Sequence, residues 1–231
     1  STLQRTAQHI QEAQQLLDEL AELDLEHAQV QAPLAWLHLP SLDLSVVRDL
    51  SLARQKNLLR YWLAAFTLPP DSAHWQSWQT LRDAKSAAKP LWRLQQGALL
   101  RSQNTLYWLP EEYLDEPPVL NLTIGCAGRY QLANNGYLTV SGELHAPLQI
   151  SYRQGTERLL IAGRGHRDLK RLLQEEGVPA FLRGRLPLVF QQGQLLAIAN
   201  LTHLNHAALG SVTIDWQLIA ENQLDSKNMR V

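Results

Sequence analysis

The 231-residue sequence lacks the features that mark several large classes of protein. It has a single cysteine, Cys126, so no disulfide can form within the chain and the fold must depend on its core, as is usual in reducing compartments. No apolar run approaches the roughly 18 residues that cross a bilayer, and the opening segment STLQRTAQHIQEAQQ is too polar for a signal peptide. We therefore expect a soluble, cytoplasmic protein without a membrane partner.

Motifs of catalysis are also missing. The sequence contains no GxxxxGK[ST], no GxGxxG opening a βαβ unit, no GxSxG and no HExxH. Cys126 has no flanking His or basic cluster, so we interpret it as a buried small apolar residue and not as a catalytic thiol. His203 and His206 have a spacing found in metal sites, but they have no Cys partner nearby. We expect no catalytic residues, no metal and no cofactor in this chain.

The only methionine is Met229, and the chain begins at Ser1. This favours a fragment of a longer protein, with removal of an initiator methionine as the alternative. The content of 45% hydrophobic and 19% charged residues is that of a folded globular chain, and the length suggests two domains.

The net charge of −1 conceals an uneven distribution. The first 30 residues are strongly acidic, whereas residues 151–186 carry an excess of cations. Those cations are Arg153, Arg158, Arg164, Arg167, Lys170, Arg171, Arg183 and Arg185. A local positive excess in a neutral protein is typical of a site for an anionic partner, most often a phosphate backbone.

The first part of the chain predicts a mainly helical domain with a small antiparallel sheet, over residues 1–112. Apolar residues at helical spacing recur at Leu3, Ala7, Ile10, Ala13, Leu17 and Leu20. They predict an amphipathic helix over 3–27, packed on its own domain or, alternatively, serving as a docking arm. A strand is predicted over 34–39, helical structure over 44–66 with Ser45 and Ser51 as caps, and a helix from Asp71 or Ser72 to about Lys85. Alternation in LWRL, ALLRS and TLYWL predicts an antiparallel meander.

The acidic, proline-punctuated stretch PEEYLDEPP predicts a linker, which we place at 113–118. A mixed α+β C-terminal domain is assigned to 119–219 and a polar tail to 220–231. Its strands are predicted over 120–124, 137–140, 148–152, 158–161, 188–191, 195–199 and 212–218, and its helices near 167–175 and 180–183. The predicted fold class is α+β.

The stretch AGRGHRDLKRLLQEEGVPAFLRGRLP, residues 162–187, carries the strongest signal for binding. Gly163 and Gly165 flank Arg164 before the predicted helix, where free backbone N–H groups suit a phosphate. Arg167, Lys170 and Arg171 follow at steps of three and four, which would place them on one helical face. The alternative is a solvated basic face after an ordinary glycine turn.

A second basic cluster comprises Arg48, Arg54, Lys56 and Arg60. It could contact RNA, or it could serve solubility or form an ion pair with the acidic first helix. Most of the tryptophans are interpreted as core residues; Trp75 and Trp78, which share a predicted helical face, are the one pair that could stack on bases.

Residues 163–201, GRGHRDLKRLLQEEGVPAFLRGRLPLVF followed by QLLAIANL, resemble the C-terminal domain of the tRNA(Ile)-lysidine synthetase family. LSLARQKNLLRYWL, residues 50–63, resembles that family's substrate-binding domain, and the helix around 13–25 resembles its lead-in. Ala180-Phe181 and Asn200 depart from residues that are common in the family. The family's N-terminal PP-loop domain, with its SGGxDS motif, has no counterpart here.

This resemblance implies a bacterial ligase that uses ATP and Mg²⁺ in its PP-loop domain to adenylate the wobble cytidine of tRNA(Ile) and attach lysine. It also implies that the present chain binds tRNA(Ile), not DNA, beside its own N-terminal PP-loop domain. The tRNA-binding residues so implied, together with neighbouring cations, are Arg54, Gln55, Lys56, Arg60, Arg164, Gly165, His166, Arg167, Lys170, Arg171, Arg183 and Arg185. The alternative function is a non-catalytic interaction domain whose basic helix meets an acidic protein.

Overall fold

The computed structural model describes residues 2–29, 34–71, 74–85, 90–161 and 165–219. Contacts divide the chain into two compact units. Of the described residues, 2–29 and 39–114, with the gaps just given, belong to unit 1, and 34–38 and 115–219 belong to unit 2. Both contain helices and small antiparallel sheets, so the predicted α+β class is confirmed. Among the described helices, none is long and apolar enough to cross a bilayer.

Within the described residues, unit 1 combines four α-helices with one four-stranded antiparallel sheet in the order β1-β4-β3-β2. Its elements are α1 (Thr2–Ala28), β1 (Ser41–Asp43), α2 (Leu44–Asp49), α3 (Leu52–Leu63), α4 (Trp75–Asp83), β2 (Leu91–Leu94), β3 (Gly97–Ser102) and β4 (Thr105–Pro110). The meander predicted from alternation is β2-β3-β4.

Helix starts in unit 1 are set by short polar side chains. Ser51 caps α3 by accepting a hydrogen bond from the Arg54 N–H at 3.4 Å, as predicted. Ser45 does not cap α2, because Asp43 takes the cap and accepts from the Ser45 N–H at 2.7 Å. The Asp71 carboxylate accepts from the His74 N–H at 3.1 Å, just before α4, and Ser72 lies outside the described residues.

The strand predicted over 34–39 is wrong. The Leu37 N–H donates to the Leu34 carbonyl at 2.9 Å, so this segment begins with a turn. Pairing with β4 begins at Ser41, after Pro40, which has no N–H to donate to a ladder.

The core of unit 1 is rich in tryptophan, with Trp62, Trp78, Trp92 and Trp108 buried among leucines. The first helix meets α3 through a narrow face near its C-terminal end, where Ala21 and Ala28 are fully buried. The apolar stripe predicted to pack is exposed: Leu3 by 83%, Ile10 by 64% and Leu17 by 41%. Because alanine side chains are small, Ala21 and Ala28 allow a close approach to the neighbouring elements. The sequence pattern gave more weight to the larger leucine and isoleucine side chains, and it therefore predicted the wrong face.

Unit 2 is rich in strands, all paired antiparallel. Its elements are β5 (Asn121–Ile124), β6 (Gly128–Gln131), β7 (Tyr137–Ser141), β8 (Leu148–Ser151), β9 (Arg158–Ile161), β10 (Gly165–Asp168), α5 (Leu169–Glu175), β11 (Leu188–Gln191), β12 (Gln194–Ile198) and β13 (Thr213–Gln217). They form sheets in the orders β12-β11-β8-β5, β13-β7-β6 and β10-β9.

Each strand predicted in unit 2 is present to within one residue at either end, whereas β6 and β10 were not predicted. The helix expected near 167–175 begins only at Leu169. The helix expected at 180–183 is wrong: hydrogen bonds from the N–H of Leu182 to Pro179 O (2.9 Å) and of Arg185 to Leu182 O (2.8 Å) form successive turns. Cys126 is exposed and not buried, because it lies in the turn between β5 and β6.

The turn before β7 is closely packed. Gly136 has a φ of +67°, and a Cβ built there would lie 1.9 Å from the carbonyl oxygen of Gln217. Its neighbour Asn135 is fully buried, and the Trp216 indole N–H donates to the Asn135 carbonyl at 2.8 Å. Only glycine fits this combination of positive φ and close approach.

Candidate nucleic-acid interface

The motif richest in cations folds as a two-stranded ribbon that leads directly into a short helix. Strand β10 pairs with β9 so that Arg167 lies opposite Leu159 and Asp168 opposite Arg158. All four residues of β10 are exposed. Gly165 opens this strand with a φ of +69°, a conformation that glycine adopts without strain.

Helix α5 is anchored by its leucines and presents its cations to solvent. Leu169, Leu172 and Leu173 are buried, whereas Lys170 and Arg171 are exposed. The Asp168 carboxylate caps the helix by accepting from the Arg171 N–H at 2.9 Å.

Two details of the predicted phosphate site are therefore corrected. Arg167 lies on β10 and not on the helical face with Lys170 and Arg171. The start of the helix already holds the Asp168 carboxylate, which takes the place that a phosphate would need. Gly163 and Arg164 lie outside the described residues. The exposed basic residues at the meeting of β10 and α5, which are His166, Arg167, Lys170 and Arg171, form what we call the basic junction.

Most of the charge of the basic junction is not neutralised within the described part of the chain. Arg171 forms an ion pair with Glu175 at 3.0 Å, but both side chains are more than half exposed and such a pair contributes little. Glu176 instead contacts His203, at 2.9 Å. Among the described residues, Arg167 and Lys170 have no side-chain hydrogen bond or ion pair, so both remain open to an anion.

Arg183 and Arg185 serve the fold of unit 2. The Arg183 Nε donates to the Val178 carbonyl at 2.8 Å, and burial, followed by the nearby charge of Arg153, lowers the pKa of its guanidinium. Arg185 is only 4% exposed. Its guanidinium donates to the carbonyl of Asn134 at 2.9 Å, to the Asn135 side chain at 3.2 Å and to the carbonyl of Asp115.

In unit 1, two of the candidate residues hold helices together. The Arg54 guanidinium bonds both carboxylate oxygens of Asp24 on α1, which raises the pKa of Arg54. Gln55 is 3% exposed; its amide donates to the Leu50 carbonyl at 2.8 Å and accepts from the indole N–H of Trp78 at 3.2 Å. Arg54 therefore forms the ion pair with the acidic first helix that the sequence offered as the alternative to RNA contact.

The other two candidates in unit 1 are more accessible. Lys56 is half-buried, with its ammonium 5.6 Å from the centre of the Trp75 ring. Arg60 is exposed, and no side-chain partner is found for it among the described residues. Arg48, from the same predicted cluster, donates to the Arg82 carbonyl at the end of α4.

The tryptophan pair that could have stacked on bases lies in the core. Trp75 and Trp78 are 9% and 0% exposed, and their ring centres lie 5.6 and 6.1 Å from that of Trp92. The hypothesis of base stacking at this pair is wrong, because aromatic rings on an apolar helix face are recruited to the core.

Two family models match this sequence. The TilS substrate binding domain matches residues 42–107, within unit 1, and the TilS substrate C-terminal domain matches residues 148–217, within unit 2.

Curated relatives match along most of the chain. A tRNA(Ile)-lysidine synthase of Pseudomonas fluorescens is 46% identical over 224 residues, which cover 96% of this chain and 51% of that protein. One of Pseudomonas syringae pv. tomato is 48% identical over 221 residues, covering 94% and 48%. A crystal structure of a TILS C-terminal domain aligns over 49% of this chain and 95% of its own, at 21% identity and a TM-score of 0.29, too low to bear on the fold.

The chain spans about half the length of the curated relatives it matches. Matches in both units and at this identity show that the chain belongs to the tRNA(Ile)-lysidine synthase family, of which it carries the substrate-binding and C-terminal domains.

Proposed function

We propose that this chain is the tRNA-binding region of a tRNA(Ile)-lysidine synthase and that it positions tRNA(Ile) for catalysis elsewhere in the protein. The whole protein would use ATP and Mg²⁺ in an N-terminal PP-loop domain to adenylate the wobble cytidine and attach lysine, in the bacterial cytoplasm. The chain described here has no catalytic role in this proposal. The observation that carries it is the basic junction, where Arg167 and Lys170 are exposed without anionic partners among the described residues.

The chemistry of the basic junction suits a phosphate backbone. A guanidinium presents paired N–H donors to phosphate oxygens, and an ammonium adds a compact positive charge. Contacts of this kind fix the register of an RNA without reading its sequence. The buried leucines of α5 anchor the helix that carries Lys170 and Arg171, which supports a surface with a low ordering cost on binding.

Titration of tRNA(Ile) at several salt concentrations tests the proposal. Replacement of Arg167, Lys170 and Arg171 together by alanine should weaken binding and reduce the slope of log K against log salt by about 2, since each lost phosphate contact removes roughly 0.7–0.9. Arg171 should contribute least, because Glu175 already pairs with it. A control with the same loss of charge, Arg5→Ala with Arg93→Ala and Arg129→Ala, should keep the slope.

An unchanged slope in the junction variant would remove this surface from the RNA interface. If the wild-type chain bound polyglutamate more tightly than tRNA(Ile), the proposal would give way to the rival function, an interaction domain for acidic proteins. A preference for tRNA(Ile) over bulk tRNA is the expected result.

A further inference from the structure

A groove of about 610 Å³ with both polar and apolar lining residues lies on unit 2, against the sheet formed by β5, β8, β11 and β12. Along β8, Leu148 and Ile150 enter the core, while Gln149 and Ser151 turn outward into the groove. The register places Phe190 of β11 directly beside Gln149, and Asn121 of β5 beside Ser151. The volume falls within the range of roughly 300–1,000 Å³ that is usual for small-ligand sites.

The side chains of this groove are those that recognise a nucleobase. Phe190 is half-buried and lines the groove, so part of its ring remains accessible there, beside the aliphatic Val119 and Leu120. Aromatic rings on sheet surfaces stack on unpaired bases, and amide side chains hydrogen-bond to base edges. Gln149 on β8 and Asn121 on the neighbouring edge strand β5 are exposed amides on the same face of the sheet, and each offers both donors and an acceptor.

Two charged side chains line the groove, and the cation is the more accessible of the two. Arg158 lines the groove and is exposed, and the carbonyl of its neighbour Glu157 accepts from the Leu169 N–H at 3.1 Å, which places this edge of the groove beside the start of α5. Asp168 lies directly across the ribbon from Arg158 and carries the opposite charge. Glu157 also lines the groove, but its carboxylate accepts from the backbone N–H of Gly155 at 2.9 Å. It lies 3.9 Å from the Arg153 Nε and is only 10% exposed, which reduces its repulsion of a phosphate.

We propose that this groove binds one unpaired nucleotide of the RNA, with its base on Phe190, its base edge on Gln149 or Asn121, and its phosphate near Arg158. The inference rests on the proposed function, and it adds a base-recognition site to a surface that otherwise holds only the backbone. A protein segment is the less suitable occupant, because the edge of the groove at Arg158 adjoins the start of α5, where Lys170 and Arg171 offer cations to the backbone of the same nucleic acid.

Phe190→Leu in the full chain tests the stacking contact, and Phe181→Leu is the matched control, a half-buried phenylalanine of the same unit that does not line the groove. The probes are tRNA(Ile), a single-stranded RNA hexamer and an RNA duplex. Phe190→Leu should weaken binding of tRNA and hexamer by about fivefold, at the lower end of the effect of losing one stacked base. The salt slope should not change, because no phosphate contact is lost. Duplex binding should also be unchanged.

Gln149→Ala provides a second test if Phe190→Leu folds poorly, because Gln149 is an exposed side chain with no role in the core. It should alter the order of preference among hexamers of A, C, G and U without changing the salt slope. If both variants bind tRNA and hexamer as Phe181→Leu does, while the basic-junction variant still loses slope, the groove inference is overturned and the proposed function stands.

Failure of the proposed function gives a different pattern. The wild-type chain would then not bind tRNA(Ile), and binding of the single-stranded hexamer would be the remaining test of the groove inference. Hexamer binding that Phe190→Leu weakens would support the groove, whereas hexamer binding that is absent or insensitive to Phe190 would overturn it.

Discussion

Arg54 on α3 and Asp24 on α1 form a two-pronged ion pair across the helix interface of unit 1. The Asp24 side chain is only 4% exposed, whereas that of Arg54 is 45% exposed. Two more side chains of α3 hold α1: the Asn57 amide donates to the Leu17 carbonyl at 2.6 Å, and the Tyr61 hydroxyl donates to Glu22 at 2.6 Å. These polar contacts explain how a long helix with a narrow apolar contact face stays attached.

The Arg54→Met variant should lower the midpoint of thermal unfolding, because it leaves the buried Asp24 carboxylate without its partner. The double variant Arg54→Met with Asp24→Asn should recover part of the loss, since the unpaired charge is removed. Arg60→Met, on the exposed face of the same helix, is the control and should leave the midpoint unchanged. If the double variant were less stable than Arg54→Met, the unpaired carboxylate would not be the cause.

The hydrogen bond to Glu22, followed by burial and the charges of Glu22 and Asp18, raises the pKa of Tyr61 from 10 to about 12. A proton held more tightly in the folded state stabilises the protein fully below pH 10, and this contribution is lost as the pH rises through about 12. The difference in unfolding midpoint between wild type and Tyr61→Phe should therefore be constant up to pH 10 and then shrink. A difference that stayed constant to pH 12 would contradict the hydrogen bond to Glu22.

Asp168 has two effects that substitutions can separate. Asp168→Ala removes the cap of α5 and should destabilise unit 2 by about 1 kcal/mol, whereas Asp168→Asn keeps a capping side chain and should cost little. Both variants remove a negative charge beside the basic junction. Asp168→Asn should therefore bind tRNA about two- to threefold more tightly at low salt, an effect that salt should screen. Weaker binding by Asp168→Asn would mean that this carboxylate itself contacts the RNA.

Arg185 should be the most sensitive cation of unit 2. Arg185→Met keeps the volume but leaves the carbonyls of Asn134 and Asp115 without their donor, which should cost about 3 kcal/mol of unfolding free energy. Urea denaturation followed by fluorescence measures this loss. Arg171→Met, an exposed position, should show almost none. Equal effects at the two positions would show that the buried network does not stabilise the unit.

Local patterns in the sequence were sufficient to locate the meander of unit 1, although only β2 buries alternate residues and β4 is buried throughout. Alternating residues located β2, β3 and β4, and Ser51 marked the start of α3. Strand β10 could not be found in this way, because GHRD has no alternation and all four residues are exposed. It forms because β9 supplies backbone partners, a condition that is set by the fold and not by local preference.

The roles of polar residues were the hardest to predict. A basic cluster in a sequence does not reveal which of its members find an anion or a carbonyl far along the chain. Arg54 meets Asp24, thirty residues away, and Arg185 reaches Asp115, seventy residues away. Arg60, Arg158, Arg167 and Lys170 are exposed and find no such partner among the described residues, so they remain candidates for RNA.

The crowding at Gly136 limits how unit 2 can be altered by mutation or engineering. A side chain at this position would have to displace the carbonyls of Gln217 and Leu218, and with them the end of β13 next to Trp216. In a saturation library selected for folded protein, glycine should be the only residue recovered at 136. Gly184, where an added Cβ meets nothing within 4 Å, should accept many residues and is the better place for a reporter label.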